Sequence, residues 1–237
     1  MPIDAVINAV VWDIDDTIFD HSGAERAGAL LHLAAEGLLG RYADEEAAAT
    51  HWRDLTDEVY QRFLTGELSF QEQRRERVRV MVGEPLTDAE ADAWFARYVR
   101  CYEQDWRLFP DVLPALDALA PRFRHSVLSN SALAYQEAKL RTLGVRDRFE
   151  AVLCSGELGV AKPAAAAFHA ACAALDLPPS QVAYVGDRHD VDAAGAEAAG
   201  LTGIWLDRTG RPATGTTAAG SVHRITTLAE LLPLLAG

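Results

Sequence analysis

The sequence has little cysteine and no long apolar run, and both absences narrow what it can be. Its three cysteines, Cys101, Cys154 and Cys172, lie far apart with no CxxC spacing. This pattern is typical of reduced thiols rather than of a disulfide framework. No stretch approaches the length of about 18 uninterrupted apolar residues that a membrane-spanning helix needs. The short apolar run "AVINAVVW" has no basic region before it and no cleavage-site pattern after it. We therefore expect a cytoplasmic protein that does not span a membrane.

Positive charge is also scarce, which bears on the partners of the protein. The 237 residues carry a formal net charge of -13 at pH 7, which argues against binding to a nucleic acid polymer or to an anionic membrane. A small anionic substrate remains compatible, because a local cation and a few arginines can outweigh the global field. The composition, 49% hydrophobic and 24% charged, is that of an ordinary globular protein.

An unusual concentration of acid follows the first apolar run. In "VVWDIDDTIFD", residues 10–20, the four carboxylates are Asp13, Asp15, Asp16 and Asp20. Two carboxylates that share a site normally force one of them to take up a proton. A divalent cation removes that cost, because it becomes the largest local charge. We therefore predict a hard-metal site around Asp13 and Asp15, with Asp16 and Asp20 facing solvent or a hinge.

The order of predicted elements indicates an α/β fold with an insertion. Residues 5–12 are expected to form a buried strand, and residues 22–106 four consecutive helices, three of them introduced by the capping-box sequences "SGAE" at Ser22, "SFQE" at Ser69 and "TDAE" at Thr87. Helices then alternate with the candidate strands "RHSVLS", "FEAVLCS", "QVAYVGD", "GIWLD" and "SVHRI". This alternation predicts a doubly wound, Rossmann-like parallel sheet with helices on both faces.

The predicted domain boundaries follow from that order. Residues 1–20 and 107–237 are expected to form the core, and residues 21–106 a helical cap, a four-helix bundle over the carboxyl edge of the sheet. Residues 208–220, "RTGRPATGTTAAG", are expected to form a surface loop. Open α/β sheets bind their ligands at that carboxyl edge.

Four polar clusters come at or just after predicted strand ends. They are "DIDDT", "SNS", "GVAKP" and "GDRHDVD". In a parallel sheet these ends share one edge, so the clusters are expected to converge there. Carboxylates, a hydroxyl and a lysine on one rim indicate phosphoryl chemistry. The metal and the lysine would neutralise phosphate oxygens, the hydroxyl and backbone N–H groups would orient them, and a carboxylate could attack.

The ordered set DxDxT, S-N, K-P and GDxxxxD resembles the haloacid dehalogenase-like (HAD) hydrolase superfamily over essentially the whole chain. The inserted helical segment resembles the C1-type cap of that superfamily. The segments "WDIDDTIFD", "VLSNS", "GVAKP" and "GDRHDVDAAGAEAAG" are most similar to its cytosolic phosphatases, including the nucleotidase-like and flavin-nucleotide phosphatase branches.

The resemblance implies roles for the residues of the first two motifs. Asp13 matches the nucleophile that takes up the phosphoryl group as an aspartyl-phosphate. Asp15 matches the general acid/base that protonates the leaving alcohol and then activates water. Thr17 matches the residue that steadies the loop. Ser129 matches the hydroxyl that orients the phosphate, and Asn130 lies beside it.

The last two motifs imply the remaining roles. Lys162 matches the lysine that pairs with the nucleophile and the phosphoryl oxygens. Asp187 matches a ligand of Mg²⁺. The side chain of Asp13 and the carbonyl oxygen of Asp15 would be the other protein ligands. Asp192 is expected near the metal or steadying Lys162. Mg²⁺ is the expected cofactor, because it is a hard cation that keeps waters and substrate oxygens as ligands.

The function implied is Mg²⁺-dependent hydrolysis of a small phosphomonoester. A dehalogenase displaces halide, which needs no proton, so the retained Asp15 favours an alkoxide leaving group. Three alternatives stay open: a phosphosugar mutase on the same fold, a non-catalytic module that binds a phosphate ligand, and, with less support, a 2-haloacid dehalogenase. A small phosphorylated metabolite is the expected partner of a monomer or homodimer. The substrate, the cap residues that select it, and the roles of His189, Asp190 and His21 stay open.

Overall fold

The computed structural model describes residues 6–209 and 222–236. The spatial contacts between residues divide the chain into two compact units. One is Met1–Asp20 with Arg107–Gly237, and the other is His21–Trp106. Most of the surface loop predicted over 208–220 lies outside the described residues. Within them, no helix is long and apolar enough to cross a membrane.

The first unit is built on a six-stranded parallel sheet, which confirms the predicted α/β fold class. Its strand order is β3-β2-β1-β4-β5-β6. The strands are β1 (Ala9–Trp12), β2 (Arg124–Ser129), β3 (Ala151–Cys154), β4 (Val182–Gly186), β5 (Thr202–Leu206) and β6 (His223–Ile225). Residues 9–12 and 182–186 are fully buried, as expected for central strands covered on both faces. The first strand is shorter than predicted and begins at Ala9.

Helices flank this sheet and include one that the sequence pattern missed. The helices of this unit are α5 (Val112–Leu119), α6 (Leu133–Thr142), α7 (Ser155–Leu158), α8 (Ala165–Ala174), α9 (Ala194–Ala198) and α10 (Leu231–Leu235). Helix α5 lies before β2, where the sequence analysis places no helix, and it contains Pro114. Pro114 falls in the first turn, where the missing N–H has no intrahelical partner to lose. A single π-helical turn, His189–Ala193, precedes α9.

The second unit consists of four helices, in agreement with the predicted number. They are α1 (His21–Ala35), α2 (Glu45–Leu64), α3 (Phe70–Val82) and α4 (Asp88–Gln104). Capping boxes at Ser69 and Thr87 start α3 and α4, because each hydroxyl accepts from an N–H that has no intrahelical partner. The predicted start at Ser22 is wrong, because α1 already begins at His21 and Ser22 lies in its first turn. Aromatic side chains of this unit are buried in its core: Trp52, Trp94, Phe95 and Tyr98.

Candidate active site at the carboxyl edge of the sheet

The register of the sheet brings the acidic stretch to the point where the strand order reverses. Strand β1 lies between β2 and β4, with Trp12 opposite Val127 on one side and Val185 on the other. The N–H of Asp13 donates to the carbonyl of Val185 at 2.9 Å. Asp13 therefore leaves the sheet beside Ser129, the last residue of β2. Open α/β sheets bind ligands at such a reversal.

Lys162 joins three groups beneath this edge. Its ammonium Nζ lies 2.6 Å from Asp13 Oδ1, 2.6 Å from the Tyr184 hydroxyl and 2.8 Å from Asp192 Oδ1. Lys162 is only 6% exposed. The three N–H donors of an ammonium are thus matched to three oxygens. Burial lowers the pKa of Lys162, but the charges of Asp13 and Asp192 outweigh it and raise the pKa above its usual value.

Asp192 is held from a second side, in a place that requires a glycine. Its Oδ2 accepts from the N–H of Arg188 at 3.0 Å, while its Oδ1 accepts from Lys162. A Cβ on Gly186 would come within 2.4 Å of the Asp192 carboxyl group. Glycine at the end of β4 therefore allows the carboxylate of Asp192 to lie against the strand backbone and reach Lys162.

Thr17 and Asn130, two further residues predicted for the site, bond Asp13 and Lys162. The hydroxyl of Thr17 donates to Asp13 Oδ2 at 3.3 Å. The side-chain amide of Asn130 bonds both backbone groups of Lys162, accepting from its N–H at 2.8 Å and donating to its carbonyl at 2.9 Å. The loop after β2 thus holds the segment that carries the lysine.

Carboxylates gather around Asp13 closely enough to hold a cation. One ligand oxygen each from Asp13, Asp187 and Asp192 lie within 4.8 Å of one another. Burial raises the pKa of Asp13 to about 7; Asp192 and Asp15 add to the rise, and Lys162 opposes it. Burial, then the charges of Asp13 and Asp192, raises the pKa of Asp187 to about 8. One lysine therefore leaves negative charge uncompensated, and hard carboxylate oxygens are donors that suit Mg²⁺.

The carboxylate of Asp15 has partners of its own on α6. Lys139 Nζ lies 2.5 Å from Asp15 Oδ1, and Gln136 Nε2 donates to Asp15 Oδ2 at 2.9 Å. The same amide nitrogen also donates to the Ser129 hydroxyl at 3.1 Å. Asp13 and Asp15, although two residues apart, are therefore bound by different sets of side chains.

Comparison with known families decides which group of enzymes this site belongs to. The family model described as haloacid dehalogenase-like hydrolase matches residues 7–200. The chain belongs to the haloacid dehalogenase-like hydrolase family. This confirms the resemblance seen in the four motifs and makes the protein a hydrolase.

Several curated relatives of this HAD-like hydrolase are phosphatases. A ribulose-1,5-bisphosphate 5-phosphatase of Halopiger xanaduensis is 29% identical over 96% of this chain and 98% of its own. A phosphoserine phosphatase of Thermus thermophilus is 31% identical over 78% of this chain and 69% of its own. A glyceraldehyde 3-phosphate phosphatase of Methanopyrus kandleri is 29% identical over 86% of this chain and 85% of its own.

Solved structures match the HAD-like hydrolase over nearly its whole length. The HAD-hydrolase YfnB of Bacillus subtilis superimposes with a TM-score of 0.79, at 20% identity, over 97% of this chain and 99% of that chain. A 2-haloacid dehalogenase of Pseudomonas syringae gives a TM-score of 0.69, at 27% identity, over 98% of this chain and 99% of that chain. These superpositions cover nearly the whole chain, so the fold of the family extends over the sheet residues and the inserted helical residues alike.

Three buried polar residues of the site were missed by sequence reasoning. Tyr184, Gln136 and Lys139 are each at most 1% exposed, and each bonds a predicted site residue. Tyr184 lies inside an apolar strand. Gln136 and Lys139 lie in a helix whose sequence has no motif that indicates a functional site. The scarcity of lysine was a usable signal, because Lys139 and Lys162 are the only lysines among 22 Lys and Arg residues.

The three residues whose roles the sequence left open lie in different settings. The ring of His189 packs edge-on against Trp205 with centroids 5.2 Å apart. Asp190 is exposed and lies 3.8 Å from the Arg188 guanidinium. His21 Nδ1 lies 2.9 Å from the Tyr102 hydroxyl within the helical unit.

Proposed function

We propose that this HAD-like hydrolase is a Mg²⁺-dependent phosphatase that hydrolyses a small phosphomonoester through an aspartyl-phosphate on Asp13. The observation that carries the proposal is the separate tethering of the two carboxylates, Asp13 by Lys162 and Asp15 by Lys139 and Gln136. One carboxylate can thus act as a nucleophile while its neighbour handles a proton. The phosphatases among the curated relatives support the same reaction class.

Asp13 supplies the nucleophile in this scheme. One of its carboxylate oxygens attacks phosphorus while the bond between phosphorus and the ester oxygen breaks. Lys162 holds Asp13 in place through Oδ1 and provides a buried positive charge beside the transferring group. Thr17 bonds the other oxygen of Asp13. We assign Ser129 to orientation of the phosphoryl group and Asn130 to holding the backbone of Lys162 beside it.

Asp15 moves the proton in both halves of the reaction. In the first half it donates a proton to the leaving oxygen, which departs as an alcohol. In the second half its carboxylate removes a proton from water, whose oxygen attacks phosphorus. The bond between Asp13 and phosphorus then breaks, which releases inorganic phosphate and restores the carboxylate of Asp13 and the protonated form of Asp15.

Mg²⁺ fits the acidic cluster that Lys162 only partly neutralises. We propose that Asp13 and Asp187 would hold it with their side chains and Asp15 with its backbone carbonyl. Asp192 would act through Lys162, whose ammonium group its Oδ1 contacts at 2.8 Å. When bound, the metal neutralises charge on the phosphate and on the carboxylates around it.

Phosphate release from a panel of esters tests this function. The panel contains phosphoserine, a ribulose bisphosphate, glyceraldehyde 3-phosphate, a flavin mononucleotide and a pyrimidine nucleotide, each with Mg²⁺ and with EDTA. We expect turnover of at least one ester with Mg²⁺ only. Interconversion of sugar phosphates without phosphate release would favour the mutase, halide release from a 2-haloacid the dehalogenase, and ligand binding without turnover the regulatory module.

We expect Mg²⁺ to stabilise the protein more at high pH than at low pH. The pKa values of Asp13 and Asp187 are raised in the fold, to about 7 and about 8. Stability of the metal-free protein from these groups is therefore fully present below about pH 4 and is lost as the pH rises through 7 to 8. At pH 8.5 and 100 times the dissociation constant, Mg²⁺ should add about 2.7 kcal/mol, or roughly 5–10 °C in Tm.

Thermal unfolding at pH 5.5 and 8.5, with Mg²⁺ or with NaCl of equal ionic strength, measures this difference. At pH 5.5 protons compete for the same carboxylates, so the Mg²⁺ shift in Tm should be smaller. Asp187→Asn should abolish the shift, and Asp117→Asn, an exposed carboxylate of the same unit, should leave it unchanged. Equal shifts at both pH values would contradict the assignment of the metal to these residues.

A further inference from the structure

Only two lysines occur in the chain, and each contacts a different carboxylate of the DxD pair. Lys162 contacts Asp13 at 2.6 Å, and Lys139 contacts Asp15 at 2.5 Å. Arginine, by contrast, forms most of the other ion pairs of this unit, such as Arg124 with Glu150. An ammonium is a compact point charge that can bond one oxygen, whereas a guanidinium fork tends to cover both oxygens of a carboxylate.

Lys139 is buried, and its ammonium group lies beside Asp15 and two aromatic rings. Its side chain is 1% exposed, and its Nζ lies 4.2 Å from the ring centre of Phe19 and 5.2 Å from that of Tyr135. Both rings attract a cation over their faces. A buried ammonium is strongly unfavourable unless a counter-charge pairs with it, and the carboxylate form of Asp15, which takes the proton from water, supplies one at 2.5 Å.

Gln136 donates a hydrogen bond to the second carboxylate oxygen of Asp15 from the same face of α6. Residues three apart on a helix are neighbours, so Gln136 and Lys139 point in the same direction from α6. Together they engage both oxygens of Asp15, while the side chain of Asp15 is still 35% exposed. The second hydrogen bond of Gln136, to the Ser129 hydroxyl, fixes Asp15 relative to the group assigned to the phosphate.

We infer that Lys139 and Gln136 are positioning residues that aim the Asp15 carboxyl group at the leaving oxygen of the substrate. This inference rests on the proposed function and deepens it. Neither residue touches the phosphoryl group in this role. They fix the direction in which Asp15 passes its proton to the departing oxygen as the bond between phosphorus and that oxygen breaks.

The dependence on the leaving group separates this role from a structural one. We would compare Lys139→Met with the unmodified enzyme on an alkyl phosphate, whose alkoxide must be protonated, and on 2,4-dinitrophenyl phosphate, whose phenolate leaves unprotonated. The readout is kcat/KM, which covers the steps up to departure of the leaving group. We expect a loss of about 10²-fold or more on the alkyl ester and less than about 3-fold on the aryl ester.

Two matched variants make the result decisive. Arg141→Met removes a cation from the same helix, but from an exposed side chain paired with Glu137, and should leave both substrates unaffected. Gln136→Met removes the amide without a change of charge, and should repeat the selective loss on the alkyl ester if Lys139→Met does not fold. Met fills a volume similar to that of either side chain it replaces.

The outcomes distinguish the inference from the function on which it rests. Equal losses on both esters, or no loss on either, would overturn the positioning role while leaving the phosphatase in place. No Mg²⁺-dependent turnover of either ester by the unmodified enzyme would overturn the proposed function itself.

Discussion

Asp13→Asn is expected to lower phosphate release at least about 10⁴-fold, because it replaces the nucleophile with a group that cannot form the covalent intermediate. The amide has nearly the same shape as the carboxylate: its oxygen can still accept from Lys162, and its nitrogen can donate to the Thr17 hydroxyl. It also removes a negative charge from a site where burial raises the pKa of Asp13 to about 7. We therefore expect the variant to fold and to be at least as stable as the unmodified protein without metal.

Acid-quench trapping shows whether the lost step is the covalent one. The unmodified enzyme, stopped during turnover of a ³²P-labelled ester, should carry label that hydroxylamine removes, as expected for an acyl phosphate. Asp13→Asn should carry none, and Asp117→Asn should carry as much as the unmodified enzyme. Label that persists in Asp13→Asn would place the nucleophile elsewhere.

Lys162→Met should have the largest effect on stability of any single substitution in the site. Lys162 is almost fully buried and bonds Asp13, Asp192 and Tyr184. Its removal leaves two buried carboxylates without their cation, which typically costs about 3–5 kcal/mol. For a chain of this size that is a fall in Tm of roughly 6–20 °C. Activity should also fall, by about 10²–10³-fold, because the positive charge beside the transferring group is lost.

The destabilisation by Lys162→Met should depend on pH in a defined direction. Lys162 opposes the rise in the pKa of Asp13, so this pKa should be higher still in the variant. A carboxyl group with a raised folded pKa is stabilising when protonated, and that stability is lost as the pH rises through the folded pKa. The difference in unfolding free energy between the two proteins, measured without metal, should therefore grow from pH 5 to pH 8.

An exposed ion pair provides the control for that measurement. Arg148→Met breaks a pair with Asp117 in which both side chains are exposed, and such pairs contribute about 0–1 kcal/mol. Its effect should be small at both pH values. A Lys162→Met effect of that same size, or one that shrinks as the pH rises, would contradict the charge balance described here.

Most of the fold was open to prediction because it depends on local patterns. The buried strands read as short runs of valine and isoleucine, and the starts of α3 and α4 are marked by hydroxyl and glutamate residues three positions apart. Helix α5 was not among the predicted helices; its Pro114 lies in the first turn, where proline is tolerated. The order of the strands in the sheet does not follow from these local patterns and was seen only in the structure.

In the candidate site, the motif residues were predicted from the sequence, and the residues that hold them in place by hydrogen bonds were not. Asp13, Asp15, Ser129, Lys162 and Asp187 come next to strand ends or in loops, where a charged or hydroxyl group is conspicuous in the sequence. Their supports are ordinary residues within regular elements. No local pattern distinguishes a tyrosine that bonds a lysine from one that fills a core, because the lysine, Lys162, lies in the segment between α7 and α8.

The sequence by itself therefore determined the family of this protein and its parallel sheet, and it predicted the motif residues of the candidate site. Only the tertiary structure decided how charge is divided within that site, with Lys162 bonded to Asp13 and Asp192, and Lys139 to Asp15. The physical reason is that hydrogen bonds and ion pairs act over about 3 Å in space. Residues 124 positions apart, such as Asp15 and Lys139, meet only when the chain has folded.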